Sequence, residues 1–162
     1  MITPEIQRVL DAWTPYVNAI SDWTTVVNGL EPKLTGCGPV YELVNPMTNR
    51  PDESFAVADM RNIRFAEPHY HTNGETEIYI VLTGSGLVVV GGQEHKVDKG
   101  LVVITPPDTA HFTVPDHDLV LAVINTPSFN PANYVLVTDT MPEVGYDPAQ
   151  LDRLLNSQNL PN

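Results

Sequence analysis

The sequence has 162 residues, of which 42% are hydrophobic, and this length fits a single domain with one core. Its 20 acidic and 8 basic residues give a formal net charge of -12, a field that repels phosphate backbones and anionic membranes. We therefore expect no nucleic acid and no membrane among its partners. The single cysteine, Cys37, excludes an internal disulfide. With no export signal and no long apolar stretch, we expect a soluble, cytoplasmic protein.

Two short helices are predicted before the first strand. Residues 3–5, Thr-Pro-Glu, are typical of a helix start, because threonine caps, proline suits the first turn and glutamate complements the helix dipole. We expect this helix to end where Pro15 interrupts it. Residues 16–27 carry apolar side chains at helical spacing and predict a second helix. Residues 1–38 should form a helical segment that packs on a larger body.

From residue 40 onward, short β-branched runs alternate with turn residues, as in an all-β barrel or sandwich. The predicted strands span residues 40–44, 54–60, 63–71, 76–82, 86–90, 93–97, 101–105, 110–114, 119–125 and 134–137. Gly91-Gly92 predicts a two-residue hairpin, because only glycine adopts positive φ without strain. Asp147-Pro148 predicts the start of a last helix, followed by a loose tail.

The segment His69-Tyr70-His71 carries the first chemical signal. Side chains alternate along a strand, so His69 and His71 point the same way and Tyr70 points the opposite way. A histidine pair of this kind occurs on polar surface strands as well as in metal sites. Two further histidines, His95 and His117, lie in charged turns and are expected to be solvated.

Two sequence blocks resemble the two cupin motifs. In the first, His69 and His71 are followed by Glu77, which precedes Gly84 by six intervening residues. The second block begins with Gly100. A proline follows after five intervening residues, and His111 lies five positions beyond that proline, which is the expected spacing. The resemblance covers about residues 55–137. It implies an all-β fold, a double-stranded β-helix (cupin jelly-roll barrel) with short N- and C-terminal helices.

With the resemblance, the chain divides into three parts. The helical segment of residues 1–38 precedes a barrel over residues 39–140, and residues 141–162 supply a C-terminal helix and tail. The resemblance further implies one divalent transition metal held by His69, His71, His111 and an acidic side chain. Mixed nitrogen and oxygen donors suit Mn, Fe, Ni, Co, Cu or Zn.

Two glutamates compete for the acidic position. Spacing from His71 favours Glu75, whereas spacing to Gly84 favours Glu77. We choose Glu77, because strand register is harder to shift than the length of the loop at Asn73-Gly74.

The resemblance favours an enzyme that acts on a small polar metabolite, as in the stand-alone sugar or sugar-phosphate isomerase-like cupins. The metal would act as a Lewis acid, and Tyr79 or Glu75 would transfer a proton. A phosphate would need Arg61 or Arg64, and the negative charge weighs against it. The alternatives are a metal-dependent dioxygenase and a non-catalytic binding module. We also expect a homodimer.

Overall fold

The computed structural model describes residues 2–44 and 52–158. The helices are α1 (Pro4–Asn18), α2 (Trp23–Val26) and α3 (Pro148–Ser157). The strands are β1 (Lys33–Thr35), β2 (Gly38–Val44), β3 (Ser54–Asp59), β4 (His69–His71), β5 (Thr76–Val90), β6 (Gln93–Asp98), β7 (Val102–Thr105), β8 (His111–Thr126) and β9 (Tyr134–Leu136). The predicted β architecture with short terminal helices is confirmed. Most of the predicted tail, residues 159–162, lies outside the described residues, as do residues 45–51 of the predicted barrel.

The strands form one curled antiparallel sheet. Its order is β1-β2-β3-β8-β4-β9, and β5 pairs with β6, β7 and β8. The β5–β8 ladder is the longest: Glu77 lies opposite Asn125, one pair from its first end, and Val90 lies opposite His111 at the other end. Its register shifts between Val81 and Gly86, where the two strands bend together.

The long strands correct two predictions. Residues 76–82 and 86–90 were predicted as separate strands but belong to β5, and residues 110–114 and 119–125 likewise belong to β8. The turn-forming residues between them mark irregularities within continuous strands. Residues 63–68 were predicted as strand but are irregular before β4, and the short edge strand β1 was missed.

The helix ends were predicted in part. Thr3 caps α1 by accepting from the Ile6 backbone N–H over 3.2 Å, as expected. The helix nevertheless continues past Pro15 to Asn18, which corrects the predicted end. A proline so near the end removes one hydrogen bond, and burial of Val17 holds the last turn in place. α2 covers only the end of the predicted second helix. Asp147 caps α3 as predicted.

Two helices cover outer faces of the barrel. The apolar side of α1 packs on Phe55, Ile78 and Ile80 in one buried cluster, and α3 packs with Phe112 in another. Because side chains alternate on β5, Glu77 and Tyr79 face away from α1 into the barrel. Both residues of the Gly91-Gly92 turn have positive φ, and Val90 pairs with Gln93, so the predicted hairpin is confirmed. Within residues 2–44 and 52–158, no helix is long and apolar enough to cross a membrane.

A buried carboxylate fastens α1 to the barrel. Glu53 accepts from the Arg8 guanidinium over 2.9 Å and from the Trp13 indole N–H over 2.8 Å. We expect Glu53→Gln to lower the free energy of unfolding by about 1.5–3 kcal/mol, because both charge-assisted hydrogen bonds weaken. Urea unfolding measures the loss. The exposed Glu31 is the control, and an equal effect of Glu31→Gln would show that total charge, not this contact, matters.

Candidate metal centre

Strand β4 directs two imidazoles into the barrel. His69 and His71 are both buried, and Tyr70 points outward into the cluster that packs against α3. The alternation predicted for this strand is therefore present. His95 and His117 are exposed, as predicted, but they lie in strands β6 and β8 and not in the predicted turns.

Glu77 and His111 reach the same place from other strands. His111 at the start of β8 pairs with His69 on β4, and Glu77 lies near the start of β5. The Glu77 Oε2 atom lies 2.9 Å from His111 Nε2, 3.6 Å from His71 Nε2 and 3.8 Å from His69 Nε2. One ligand atom from each of these four buried residues lies within 4.8 Å of the others. The cluster could hold a metal ion.

The other ring nitrogens fix the direction of two imidazoles. His69 Nδ1 donates to the Glu67 carbonyl over 2.7 Å, and His111 Nδ1 donates to the Thr109 carbonyl over 3.0 Å. Each ring thus presents Nε2 to the cluster. His71 differs, because both of its buried nitrogens lack a hydrogen-bond partner. A buried nitrogen without a partner is costly, and a metal ion at the cluster would satisfy Nε2, so the residues present fit a metal.

Charge and burial compete at the cluster. Burial lowers the pKa of His69 to about 4, with the nearby His111 adding to the effect. Burial also lowers the pKa of His71, but Glu77 and Glu75 outweigh it and raise that pKa to about 10. Burial raises the pKa of Glu77, but the three histidines, His71 foremost, hold it well below its usual range. Glu77 is therefore a carboxylate, as a metal ligand must be.

The two residues predicted to be catalytic occupy different places. The Tyr79 hydroxyl donates to Glu77 Oε2 over 2.6 Å, and burial, followed by the charge of Glu77, raises the Tyr79 pKa well above its usual value. Tyr79 lines the cavity described below, whereas Glu75 is fully buried behind His71 and does not line it. Thr113, which lies two residues after His111 on the same face of its strand, is buried and does not line the cavity, and its hydroxyl has no hydrogen-bond partner.

A cavity of about 960 Å³ opens beside the cluster. His69, His71 and Glu77 form part of its wall. Apolar side chains such as Phe55 and Val123 form another part, and asparagines a third. A ligand in this cavity would meet both the cluster and an apolar surface, the usual combination in small-molecule sites.

Sequence reasoning missed the residues contributed after β8. The Tyr134 ring stacks on His69 with centroids 4.4 Å apart, and Phe129 packs edge-on to His71 at 5.9 Å. Asn133 donates to Glu75 over 2.9 Å. The pairing of β9 with β4 and the hydrogen bonds of Asn133 bring this segment to the site. The sequence carried no signal for it, since these residues lie some 60 positions from the histidine pair.

The cupin-domain family model matches residues 64–125, which include both motifs. Streptomyces Pac13, solved with uridine and described elsewhere as a nucleoside dehydratase, aligns with a TM-score of 0.60 at 13% identity, covering 72% of this chain and 91% of that chain. A protein from Planctomyces limnophilus aligns with a TM-score of 0.59 at 22% identity, covering 73% and 98%. A predicted oxalate decarboxylase from Thermotoga maritima gives a TM-score of 0.54 at 22% identity, covering 62% and 95%.

No curated protein sequence matches this chain significantly. At these identities the structural matches establish the shared barrel alone. The barrel, the family match over residues 64–125 and both motif spacings all agree with the resemblance of this chain to the cupins.

Proposed function

We propose that this cupin binds one divalent transition metal and catalyses a reaction of a small polar molecule held in the cavity. One observation carries the proposal: the histidine and glutamate ligand atoms converge at the wall of a cavity large enough for a metabolite. The ligands would be His69, His71, Glu77 and His111. This donor set suits Mn, Fe, Co, Ni, Cu or Zn.

The reaction we favour is isomerisation of a hydroxy-carbonyl compound. When bound, the metal would supply Lewis-acid polarisation of a carbonyl and its adjacent hydroxyl. Of the two residues predicted to be catalytic, Tyr79 is the one in the cavity wall. Its hydroxyl, which donates to Glu77 Oε2, is placed to exchange hydrogen bonds with a ligand oxygen and to pass a proton.

The charges of the cavity favour an uncharged substrate over a phosphorylated one. Among the described lining residues, Lys33 is the only lysine or arginine, and its Nζ lies 2.7 Å from Glu42 Oε1. Arg61 and Arg64, the expected phosphate ligands, do not line the cavity, and Arg61 pairs with Asp59 instead. A phosphate away from the metal would find no uncommitted cation there. Pac13, which shares the barrel, was solved with uridine, an uncharged nucleoside.

The test starts from protein purified without a nickel column and loaded with one metal at a time. Paired neutral and phosphorylated hydroxy-aldehydes and ketones are then incubated in D2O. We expect solvent deuterium to enter the neutral substrates, observed by NMR, without oxygen uptake. Metal-dependent oxygen consumption would instead assign an oxygen-using cupin, and tight ligand binding with neither change would assign a binding module.

A tyrosine pair tests the proton-transfer role. Tyr79→Phe should keep the bound metal and lower the deuterium exchange rate by about 10²–10⁴-fold, the range for loss of a positioned acid or base. Tyr70→Phe is the matched control. Tyr70 lies between the proposed ligands His69 and His71 in sequence, but its side chain faces away from the cavity. Equal activity in both variants would remove Tyr79 from the mechanism.

A further inference from the structure

Glu75 is a carboxylate fully enclosed by the protein. Its side chain is 0% exposed, and no lysine or arginine pairs with it within the described residues. A buried carboxylate is costly unless hydrogen bonds replace the lost water. The groups around Glu75 therefore have to offset that cost.

Asparagines supply most of the missing hydrogen bonds. Asn125 on β8 donates to Oε1 over 3.0 Å, and Asn133, in the helical turn before β9, donates to Oε2 over 2.9 Å. The backbone N–H of Asn130 adds a longer bond of 3.4 Å. Asn73 donates to the Asn133 side chain over 2.7 Å and so fixes that amide. The carboxylate is therefore held from both sides by chain segments distant in sequence.

The remaining neighbour of this carboxylate is a metal-site histidine. Glu75 Oε1 lies 3.1 Å from His71 Nδ1, within hydrogen-bond distance but not aligned as a hydrogen bond in this structure. Rotation of the imidazole about its Cβ–Cγ bond can supply the alignment. His69 and His111 instead donate Nδ1 to neutral backbone carbonyls. His71 is thus the one histidine of the cluster that faces a carboxylate on its far side.

We propose that Glu75 is a positioning residue that accepts the His71 Nδ1 hydrogen and thereby directs His71 Nε2 to the metal. A carboxylate acceptor orients an imidazole and makes it a stronger donor than a carbonyl does. The asparagines hold Glu75 so that its second oxygen cannot swing into the cavity. This inference rests on the proposed function, because it assumes that the cluster binds a metal.

The test uses Co²⁺ alone as the probe, because its visible absorption reports ligand geometry independently of any activity. Glu75→Gln keeps the size of the side chain and removes its charge. We expect Co²⁺ to bind about 10–100-fold more weakly to this variant, the usual effect of changing a residue behind a metal ligand, with an altered absorption spectrum. Glu53→Gln, which changes another buried carboxylate, should leave affinity and spectrum unchanged.

If Glu75→Gln binds Co²⁺ with the affinity and spectrum of the wild type, the positioning role of Glu75 is refuted but the proposed function is not. If the wild-type protein binds no metal, both are refuted. If Glu75→Gln does not fold, ¹⁵N NMR of the Zn²⁺-loaded wild-type protein decides the question. The expected result is His71 protonated at Nδ1 and metal-bound at Nε2. Metal on Nδ1, or a proton on Nε2, would refute the role of Glu75.

Discussion

Replacing Glu77 with alanine is expected to remove nearly all bound metal. The change deletes the carboxylate whose Oε2 lies closest to the three Nε2 atoms, and the imidazoles alone lack the charge to hold a divalent ion as firmly. The loss of affinity should exceed the roughly 10–100-fold typical of residues behind the ligands. Elemental analysis after loading with excess metal and desalting measures it, with thermal unfolding to confirm that the variant folds.

Glu75→Ala is the matched control for this experiment. Glu75 lies behind His71 and offers no atom to the cluster, so the variant should bind more weakly yet retain most of its metal when the ion is in excess. The reverse pattern, with metal lost from Glu75→Ala and kept by Glu77→Ala, would mean that the loop, not the strand, supplies the acidic ligand.

Gly84→Ala should lower the free energy of unfolding more than Glu53→Gln or Gly29→Ala does. Gly84 has φ +78°, and a Cβ there would overlap the backbone of His117 and Asp118 on β8. Left-handed strain of about 1–2 kcal/mol and crowding of about 1–3 kcal/mol together predict a loss of about 2–5 kcal/mol. The free energy of unfolding in urea measures the loss.

Gly29→Ala separates the two causes. Gly29 has φ +81°, but a Cβ there would meet nothing within 4 Å, so only the backbone strain of about 1–2 kcal/mol should appear. If both variants lose the same free energy, the close approach of β5 and β8 at Gly84 does not contribute.

Local sequence rules predicted those parts of the molecule that local physics controls. The turn at Gly91-Gly92 and the Asp147 cap depend on a few adjacent residues, and both were correct. The continuation of α1 past Pro15 was missed, because burial of Val17 against the barrel outweighs one lost hydrogen bond. Rules that use only neighbouring residues to predict helix ends cannot detect long-range packing of this kind.

The residues of the candidate site also fall into two groups, those that the sequence predicted and those that depend on long-range contacts. Two motif spacings singled out the four residues that the structure brings together as a possible metal cluster. Tyr134 and Asn133 could not be predicted, because they reach the site through long-range contacts, the pairing of β9 with β4 and the hydrogen bond from Asn133 to Glu75. The surroundings of Glu75 were equally hidden, since its amide donors come from two distant segments, β8 and the turn before β9.

The β5–β8 pair is so strongly bent that its two ends lie close together. Glu77 lies near one end, and His111 sits opposite Val90 at the other. In a straight ribbon the 13 positions between Glu77 and Val90 would span roughly 43 Å at about 3.3 Å per residue. Instead, His111 Nε2 lies 2.9 Å from Glu77 Oε2. An ion bound there would stabilise the curled form of the β5–β8 pair, because the ligands would lie too far apart if the two strands were less curled. Binding of an ion and closure of the barrel would therefore be coupled, so that each would favour the other.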